Sequence, residues 1–219
     1  MSQGGERTVV FRPDAFEVAN IEQAKAVIVT AERGTTTDER WQKETPYLAG
    51  DIAGRLPIGP ETTLLDYGCG IGRIAKELIA QRGCRVIGVD SSKTMRDLAP
   101  GYVLSERFNV WSPEVFEKML ERGFRVDGAI SLWVIQHVLD PKKVIALIHR
   151  ALRPSGLLYT LNQQSRCVPS NQGWVNDGFD VWSALATAFV EEDRHYLPES
   201  VTTADLAKQS LIQLLRRPG

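Results

Sequence analysis

Apolar positions along the chain follow one pattern before residue 62 and a different one after it. The first part predicts two helices. One covers 20–34 and ends at Gly34, and the other covers roughly 38–55, with N-cap candidates in the run 35–38. From residue 62 onward, short apolar runs alternate with helical segments. This alternation predicts a parallel sheet with helices on both faces.

The second part of the chain contains five expected strand and helix units between 62 and 164. The helix after the second strand is expected to stop at Pro100, because proline removes a backbone hydrogen bond. A polar, turn-rich stretch over 165–177 predicts a surface loop, and 178–189 predicts a helix. Two last strands follow, over 189–197 and 210–217. Ligands of such sheets bind where the parallel strands end.

Composition limits the class of protein. The 219 residues suit one α/β domain, and 43% are hydrophobic and 24% charged. A net charge of −1 provides no bulk attraction for nucleic acid or an anionic membrane. Three cysteines without a C-x-x-C pair, and an N-terminus without an apolar signal segment, lead us to expect a cytoplasmic protein with no membrane span.

The segment from Leu64 to Arg73 is the most informative in the chain, because it places three glycines between a strand and a helix. Gly68 and Gly70 allow a ligand to approach the backbone closely, and the following helix N-terminus offers free N–H groups. A dinucleotide loop, G-x-G-x-x-G, requires its third glycine at Arg73, but that glycine lies one residue early, at Gly72.

An acidic residue stands two positions before the first glycine. Asp66 suits the positively charged amino-acid end of S-adenosylmethionine (SAM) better than a pyrophosphate. The pattern D-x-G-x-G-x-G therefore favours SAM over NAD, although a purely structural turn is the alternative. With this loop, residues 62–164 resemble the class I SAM-dependent methyltransferase family. The resemblance implies a Rossmann-like, seven-stranded, mostly parallel sheet whose last strand is antiparallel, and it includes Cys69 among the cofactor-binding loop residues.

A second acidic residue follows the next strand. Asp90 is positioned to accept hydrogen bonds from both ribose hydroxyls, although a helix N-cap role is the alternative. In the resemblance, Ser91 and Met95 flank the adenine ring, and Met95 packs on its face. Asn109 stands where family members often have Asp, and with Val110 it is expected to contact the adenine; a loop asparagine is the alternative.

The fourth strand is expected to end at the methionine part of the cofactor. By resemblance, Leu132 and Trp133 line that part, and the Trp133 ring offers a π face to the sulfonium; core burial is the alternative. Gln136 and His137 lie one turn further on. We expect His137 to act as a base or an acceptor contact, although a lone histidine is more often structural.

The residues before the first strand are predicted to form a helical extension over 1–60, packed on a cofactor-binding domain over 61–219. In it Arg40 could pair with the SAM carboxylate, with Trp41 beside it, or both could be ordinary surface and core residues. We expect this extension and residues 165–182 to form a lid, with an aromatic wall of Trp174, Phe179 and Trp182. Burial of these three rings in the core is the alternative.

The sequence therefore predicts an enzyme that transfers a methyl group from SAM to an oxygen or nitrogen of a small-molecule acceptor. Tyr47 and His195 are weaker candidates for the base than His137. The chain lacks the NPPY-like segment typical of amide or nucleobase nitrogen methylation after the fourth strand, which favours a small-molecule acceptor. It also lacks the carboxylate cluster of a magnesium-dependent catechol site, so no metal is expected. The alternatives are a SAM-binding regulatory or scaffolding protein without catalysis and an NAD-dependent oxidoreductase.

Overall fold

Seven extended segments pair into one sheet in the computed structural model, which describes residues 9–219. The strands are Thr63–Tyr67 (β1), Arg85–Val89 (β2), Phe108–Trp111 (β3), Val126–Leu132 (β4), Leu152–Gln163 (β5), Val190–Tyr196 (β8) and Ser210–Arg216 (β9). Their order is β3-β2-β1-β4-β5-β9-β8, and β9 runs antiparallel to both of its neighbours. The predicted seven-stranded sheet with a reversed last strand is confirmed.

Successive residues of a strand point to opposite faces of the sheet. Both faces of this sheet therefore carry apolar side chains, and helices cover them. Leu64 faces a core shared with the helices Thr37–Arg55 (α2), Arg73–Arg82 (α3) and Lys93–Val103 (α4). Leu65 faces a second core shared with Pro113–Glu121 (α5), Pro141–Ala151 (α6) and Val181–Ala188 (α7). The result is the three-layer α/β/α arrangement that the alternating pattern predicts.

The register of the first two strands decides where the predicted acidic residues meet. β1 and β2 pair in parallel from Thr63 with Arg85 to Tyr67 with Val89, so both strands end at the same level. Asp66 is the penultimate residue of β1, and Asp90 directly follows β2. Both carboxylates therefore reach the same edge of the sheet.

Helix α2 belongs to the main core. Leu48 and Ile52 are fully buried in the same cluster as residues of β1 and β4. Thr36 caps this helix in a capping box with Glu39, as the threonine run predicts. The division at residue 60 stays a prediction, but the packing joins the two sides of that boundary in one core.

Two helix ends were wrongly predicted. The first helix, Ile21–Ile28 (α1), stops well before Gly34, because the β-branched run 27–30 is a poor helix former and Val29 is extended. Helix α4 continues through Pro100 to Val103, because Val103 is buried against the core and Leu104 then turns into a left-handed conformation.

The stretch 165–177, predicted as a surface loop, contains a short β-hairpin. Val168–Ser170 (β6) pairs antiparallel with Gly173–Val175 (β7), and Phe11 forms a β-bridge to Ser170. The N-terminal partner lies far away in sequence, so the local pattern gives no sign of it. The short helix Ala204–Gln209 (α8) was also not indicated by the pattern, and β5 begins at Leu152 rather than after Gly156.

Candidate active site

A cavity of about 710 Å³ opens at the edge where β1, β2 and β4 end. N-terminal residues and the β6–β7 hairpin complete its wall. Nine of the residues predicted from the sequence line it: Arg40, Gly68, Gly70, Asp90, Ser91, Met95, Leu132, Trp133 and His137. The volume is typical of a site for a drug-sized ligand.

The glycine loop between β1 and α3 forms part of this wall. Gly68, Gly70 and Gly72 have φ values of 79°, 54° and 83°, a region that L side chains rarely adopt. A side chain at Gly68 would overlap Val134, and one at Gly70 would place its Cβ 2.6 Å from Cδ1 of Ile28. The loop therefore has to be glycine at these positions. Cys69 is buried behind the loop, away from the cavity.

Asp90 ties the loop to the end of β2. Its Oδ2 accepts a hydrogen bond from the Gly70 N–H at 2.8 Å, and its Oδ1 accepts one from the Ser92 N–H at 2.9 Å. Each oxygen keeps a second lone pair for a ligand. Ser92, rather than Asp90, caps α4, because its side chain accepts from the Met95 N–H at 3.1 Å. The alternative reading of Asp90 as a helix cap is therefore wrong.

Asp66 is a buried carboxylate behind the cavity wall. It is 4% exposed and is not among the cavity-lining residues. Burial, reinforced by repulsion from Asp90, raises the pKa of Asp66 to about 7. Burial likewise raises the pKa of Asp90. Two neighbouring carboxylates that are costly to ionise together form an environment that favours a cation.

Arg40 belongs to a buried charged cluster. Its Nε donates to Glu44 at 2.7 Å and its Nη1 donates to the Thr30 carbonyl at 2.6 Å. Glu44 also lies 3.8 Å from Arg73 Nη2, and Arg40, Glu44 and Arg73 are each 4% exposed or less. Glu32, which lines the cavity with Arg40, lies 3.9 Å from Arg40 Nη1. Two guanidinium groups and two carboxylates therefore meet beside the cavity, and their formal charges cancel.

Trp41 lies behind this cluster rather than in the cavity. The Arg73 guanidinium stacks on its ring, with the guanidinium carbon 4.9 Å from the ring centroid. The Tyr102 ring also packs against the indole, in an edge-to-face arrangement. Trp41 does not line the cavity, so its position does not support the predicted contact with the cofactor. Its ring instead supports the Arg73 side of the cluster.

The turn after β4 carries strain. Trp133 has a φ of 61°, which is unusual for a bulky residue, and its backbone N–H donates to the Leu161 carbonyl at 2.7 Å. Its ring packs against the α2-side core, and its indole Nε1 is buried without a hydrogen-bond partner among residues 9–219. Strain and an unpaired donor together are typical of functional positions.

His137 is held in one tautomer. Its Nδ1 donates to the Cys167 carbonyl at 2.6 Å, because a carbonyl only accepts. The lone pair on Nε2 therefore faces the Gln136 amide nitrogen, 3.2 Å away. Gln136 Oε1 also accepts a hydrogen bond from the Gln163 N–H, and Gln136 Nε2 donates one to the Gln163 side chain at 3.3 Å. Burial lowers the pKa of His137, so the ring is neutral near pH 7.

Arg166 holds this turn in place, and it was not predicted as a site residue from the sequence. It is 1% exposed, and its Nη1 donates to the carbonyls of Ile135 and Val138 on either side of His137. Its other nitrogens form a bidentate pair with Asp177, at 3.1 and 2.7 Å. The ring of Phe179 packs on the guanidinium. No local sequence feature marks an arginine as buried.

The N-terminal strap, defined here as residues 11–17, lines the cavity and runs from the β6–β7 hairpin to the start of α4. At one end Phe11 pairs with the hairpin, and at the other the Glu17 carboxylate accepts from the Lys93 and Thr94 N–H groups at 3.0 and 3.1 Å. Phe11 and Phe16 line the cavity, and the sequence reading missed both. Phe16 packs against His137, with ring centroids 5.8 Å apart.

Several predicted residues lie elsewhere. Asn109 is exposed on the edge strand β3, paired with Ile87, and Val110 packs into the α2-side core; neither reaches the cavity. Their predicted adenine contact is therefore not supported by their position, because β3 ends two residues later than expected. Of the proposed aromatic wall only Trp174 lines the cavity. The candidate bases Tyr47 and His195 do not line the cavity, and neither do the other two rings of that wall, Phe179 and Trp182.

Within residues 9–219, no group of three or more His, Cys, Asp or Glu side chains is arranged to hold a metal ion. No helix in the same range is long and apolar enough to cross a lipid bilayer.

The fold and the site define a class: an α/β domain with a reversed last strand and an acidic glycine loop beside its ligand cavity. A family model described as a methyltransferase domain matches residues 34–209, and the chain belongs to that family. The resemblance to class I SAM-dependent methyltransferases is thereby confirmed.

Similar curated proteins are named ubiquinone biosynthesis O-methyltransferase. The one from Methylobacterium sp. (strain 4-46) is 30% identical over 148 residues, which are 61% of this chain and 59% of that protein. The one from Coxiella burnetii (strain RSA 493 / Nine Mile phase I) is 29% identical over 103 residues, 46% of this chain and 44% of that protein. The chain therefore spans about half the length of these relatives.

Solved structures share the fold at low identity. Geranyl diphosphate C-methyltransferase from Streptomyces coelicolor A3(2), in complex with Mg²⁺, geranyl-S-thiolodiphosphate and S-adenosyl-L-homocysteine, matches with a TM-score of 0.59 at 18% identity, covering 78% of this chain and 76% of that one. The cyclase SpnF matches with a TM-score of 0.60 at 17% identity, covering 78% and 80%. At such identities the likeness shows the fold alone.

Proposed function

We propose that the chain is a SAM-dependent methyltransferase that acts on an oxygen or nitrogen atom of a small-molecule acceptor. One observation carries the proposal. The glycine loop joins Asp66 and Asp90 at neighbouring strand ends, and the cavity beside it also has Arg40 in its wall. Cationic, hydroxyl and anionic groups of one ligand would each find a matching partner there.

The residues fit SAM group by group. Asp66 would favour the ammonium end of the ligand, and Arg40, a cation in the cavity wall, would pair with the carboxylate. Asp90 would accept the two ribose hydroxyls with its remaining lone pairs. Ser91 and Met95 would flank the adenine.

The end of β4 would hold the reactive part of the cofactor. Leu132 and Trp133 line the cavity there, next to the turn that carries His137. The π face of Trp133 would be available to the sulfonium, and its unpaired Nε1–H to a ligand acceptor atom.

SAM supplies a methyl group already activated by a positive sulfur. The chain would align the acceptor with that methyl and exclude water, which the N-terminal strap supports by covering the cavity. Where the acceptor carries a proton, His137 Nε2 would take it. The Gln136 amide that faces Nε2 has an alternative partner in the Gln163 side chain, so it can release the histidine.

The names of the relatives favour an oxygen acceptor. Location in the cytoplasm is also proposed, supported by Cys69, Cys84 and Cys167 all being free thiols.

Calorimetry with SAM and S-adenosylhomocysteine tests the cofactor assignment. We expect binding of both, and we expect Asp90→Ala to weaken it about 10- to 100-fold through loss of charge-assisted hydrogen bonds. Asp97→Ala is the matched control, because Asp97 is an exposed aspartate on the same α4 and pairs only with Lys93. Equal affinities in wild type and Asp90→Ala would refute the ribose assignment.

Methyl transfer itself is tested with radiolabelled SAM and a panel of phenols, catechols and amines. Labelled product would distinguish the enzyme from the alternative of a SAM-binding protein without catalysis. Cofactor binding without turnover of any panel member, together with unchanged SAM after long incubation in cell extract, would favour that alternative.

A further inference from the structure

An ion pair joins the two ends of the β6–β7 hairpin. Arg166 precedes β6 and Asp177 follows β7, and two hydrogen bonds connect the guanidinium to the carboxylate, at 3.1 and 2.7 Å. Arg166 is 1% exposed, whereas the Asp177 side chain is 46% exposed. A bidentate pair of this kind fixes both the distance and the orientation of its two groups. The guanidinium is therefore held in one place below the surface.

The turn that carries His137 is bound to the same end of the hairpin by four hydrogen bonds. Arg166 Nη1 donates to two carbonyls of the turn, those of Ile135 and Val138, at 3.3 and 2.8 Å. The N–H of Cys167 donates to a third carbonyl of the turn at 3.0 Å, and its own carbonyl accepts from His137 Nδ1 at 2.6 Å. The position of the imidazole therefore depends on where Arg166 and Cys167 lie.

The groups packed against the His137 ring are neutral. Phe16 of the strap and Trp174 of the hairpin contact it, with ring centroids 5.8 and 5.5 Å from that of the imidazole. Burial raises the pKa of the Cys167 thiol, so this group is also uncharged near pH 7. Direct contacts of the ring with these three residues therefore bring no charge to it.

Charge reaches the ring from the neighbouring segments. Burial lowers the pKa of His137, the hydrogen bond to Cys167 opposes this effect, and the Arg166 cation lowers the pKa further. Asp177 is the counter-ion of that cation. Asp140, three residues after His137, accepts from the N–H of Lys143 and caps α6. The ion pair between hairpin ends thus acts on the imidazole both through hydrogen bonds and through its electric field.

We propose that Arg166 is a positioning residue for methyl transfer, which with Asp177 as its counter-ion holds His137 in the Nδ1–H form with Nε2 available to the acceptor. This inference rests on the proposed function, in which Nε2 takes a proton from the acceptor. Arg166 does not line the cavity, so it acts through His137. The proton passes from the acceptor oxygen or nitrogen to Nε2, the acceptor bonds to the methyl carbon, and the sulfur keeps the electron pair of the broken bond.

Titration of the imidazole nitrogens by ¹⁵N NMR tests the inference. The chain has three histidines, and the His137 signals are those that disappear in His137→Gln. Arg166→Met removes the cation, so we expect the pKa of His137 to rise and the Nε2–H form to appear. Asp177→Asn removes only the counter-ion, so we expect the pKa of His137 to fall while the Nδ1–H form persists.

The opposite directions separate positioning from general loosening of the turn. Burial is the main cause of the lowered pKa of His137, so a turn that merely opened to water would raise this pKa in both variants. A rise in both variants, or no change in either, would overturn the inference. Asp177→Asn alters a half-exposed side chain, so it decides the question even where Arg166→Met fails to fold.

Glu192→Gln and Arg216→Met are the matched controls. These two side chains form an ion pair at 2.6 Å between β8 and β9. Arg216 lies at the end of β9 away from Gln163, which lines the cavity. Neither change should move the His137 signals.

Kinetics with an acceptor that the wild type methylates give a second readout. Arg166→Met should lower kcat about 10-fold or more, since a general base contributes about 10²–10⁴-fold, and should leave the KM for SAM within about twofold. Asp177→Asn should move the acidic limb of the pH profile of kcat to lower pH. An unchanged kcat in Arg166→Met contradicts the inference alone, whereas a wild type that does not bind S-adenosylhomocysteine contradicts the proposed function.

Discussion

The Asp66 carboxyl group is costly to ionise in the folded protein. Its pKa of about 7 lies above the ordinary value of 3.8, so the folded state holds a proton that the unfolded chain has lost. Stability therefore falls as pH rises from about 4 to about 7, and it is constant with respect to this group above that range. A cationic ligand reverses the preference, because it stabilises the ionised carboxylate.

We expect Asp66→Asn to stabilise the ligand-free protein at pH 8 by on the order of 2–4 kcal/mol, since each pKa unit corresponds to about 1.4 kcal/mol. The same change should weaken S-adenosylhomocysteine binding. Urea unfolding between pH 5 and pH 8 measures the first effect, and calorimetry the second. Asp97→Asn, at an exposed position of α4, is the control. A variant less stable than wild type at pH 8 would contradict the assignment.

Arg40 supports a second prediction at this scale. Arg40→Met should weaken S-adenosylhomocysteine about 10-fold or more, because a hydrogen bond to a charged group contributes about 1.5–3 kcal/mol. The affinity for 5′-methylthioadenosine, which lacks the amino-acid end, should stay within about threefold of wild type on the same reasoning. Arg33→Met, an exposed arginine on the preceding connection, is the control. Equal losses for the two ligands would show a general defect rather than lost carboxylate binding.

Individual site residues differed in how far the sequence predicted them. Asp66, the loop glycines and Asp90 were found because they stand at fixed distances from strand ends. Asn109 was misplaced because the exact end of β3 decides whether a side chain reaches the site, and a two-residue error moves it to the surface. Glu44 and Arg166 were missed because charged residues are usually exposed, and only the packing buries them.

At the scale of elements, the N-terminal strap connects the two sides of the cavity. Glu17 binds the first N–H groups of α4, where a helix favours negative charge, and hydrogen bonds from Thr94 lower the pKa of its carboxyl. The other strap end joins the hairpin through the Phe11 bridge and through the Arg12 N–H, which donates to the Pro169 carbonyl at 2.9 Å. The Glu17 carboxylate is therefore ionised at neutral pH, and its contact with α4 is intact.

We expect Glu17→Gln to release the strap from α4 and to raise the dissociation rate of S-adenosylhomocysteine severalfold, because the ligand leaves through the covered opening. Stopped-flow displacement of the bound ligand measures that rate. Asp14→Asn, on the same strap but paired only with Arg12, should leave it unchanged. An unaltered rate in Glu17→Gln would mean that the strap does not limit release.

Periodicity located most elements and failed where distant contacts decide. The five strand and helix units between 62 and 164 lie close to the predicted positions, since each buries an apolar face that shows in its own sequence. The hairpin depends on a partner near residue 11, and α4 passes through Pro100 because tertiary packing outweighs the local cost of proline.

At the scale of the molecule, α2 and the sheet share one core. Leu48→Ala should therefore destabilise the whole protein by about 2–5 kcal/mol in a single transition, because the change leaves a cavity next to β1. Urea unfolding followed by both circular dichroism and tryptophan fluorescence tests this. Leu104→Ala, at an exposed position, should change stability by less than about 0.5 kcal/mol. Two separate transitions would show that the first 60 residues fold as an independent unit.

The sequence by itself determined the sheet, the glycine loop and the two acidic residues at its edge, because these features follow from short-range patterns and from the rule that parallel strands end together. Only the tertiary structure decided that Arg40 shares a buried carboxylate with Arg73, that Phe11 and Phe16 line the cavity, and which tautomer His137 adopts. Those features arise between residues far apart in the chain, and no local pattern encodes which distant groups will meet.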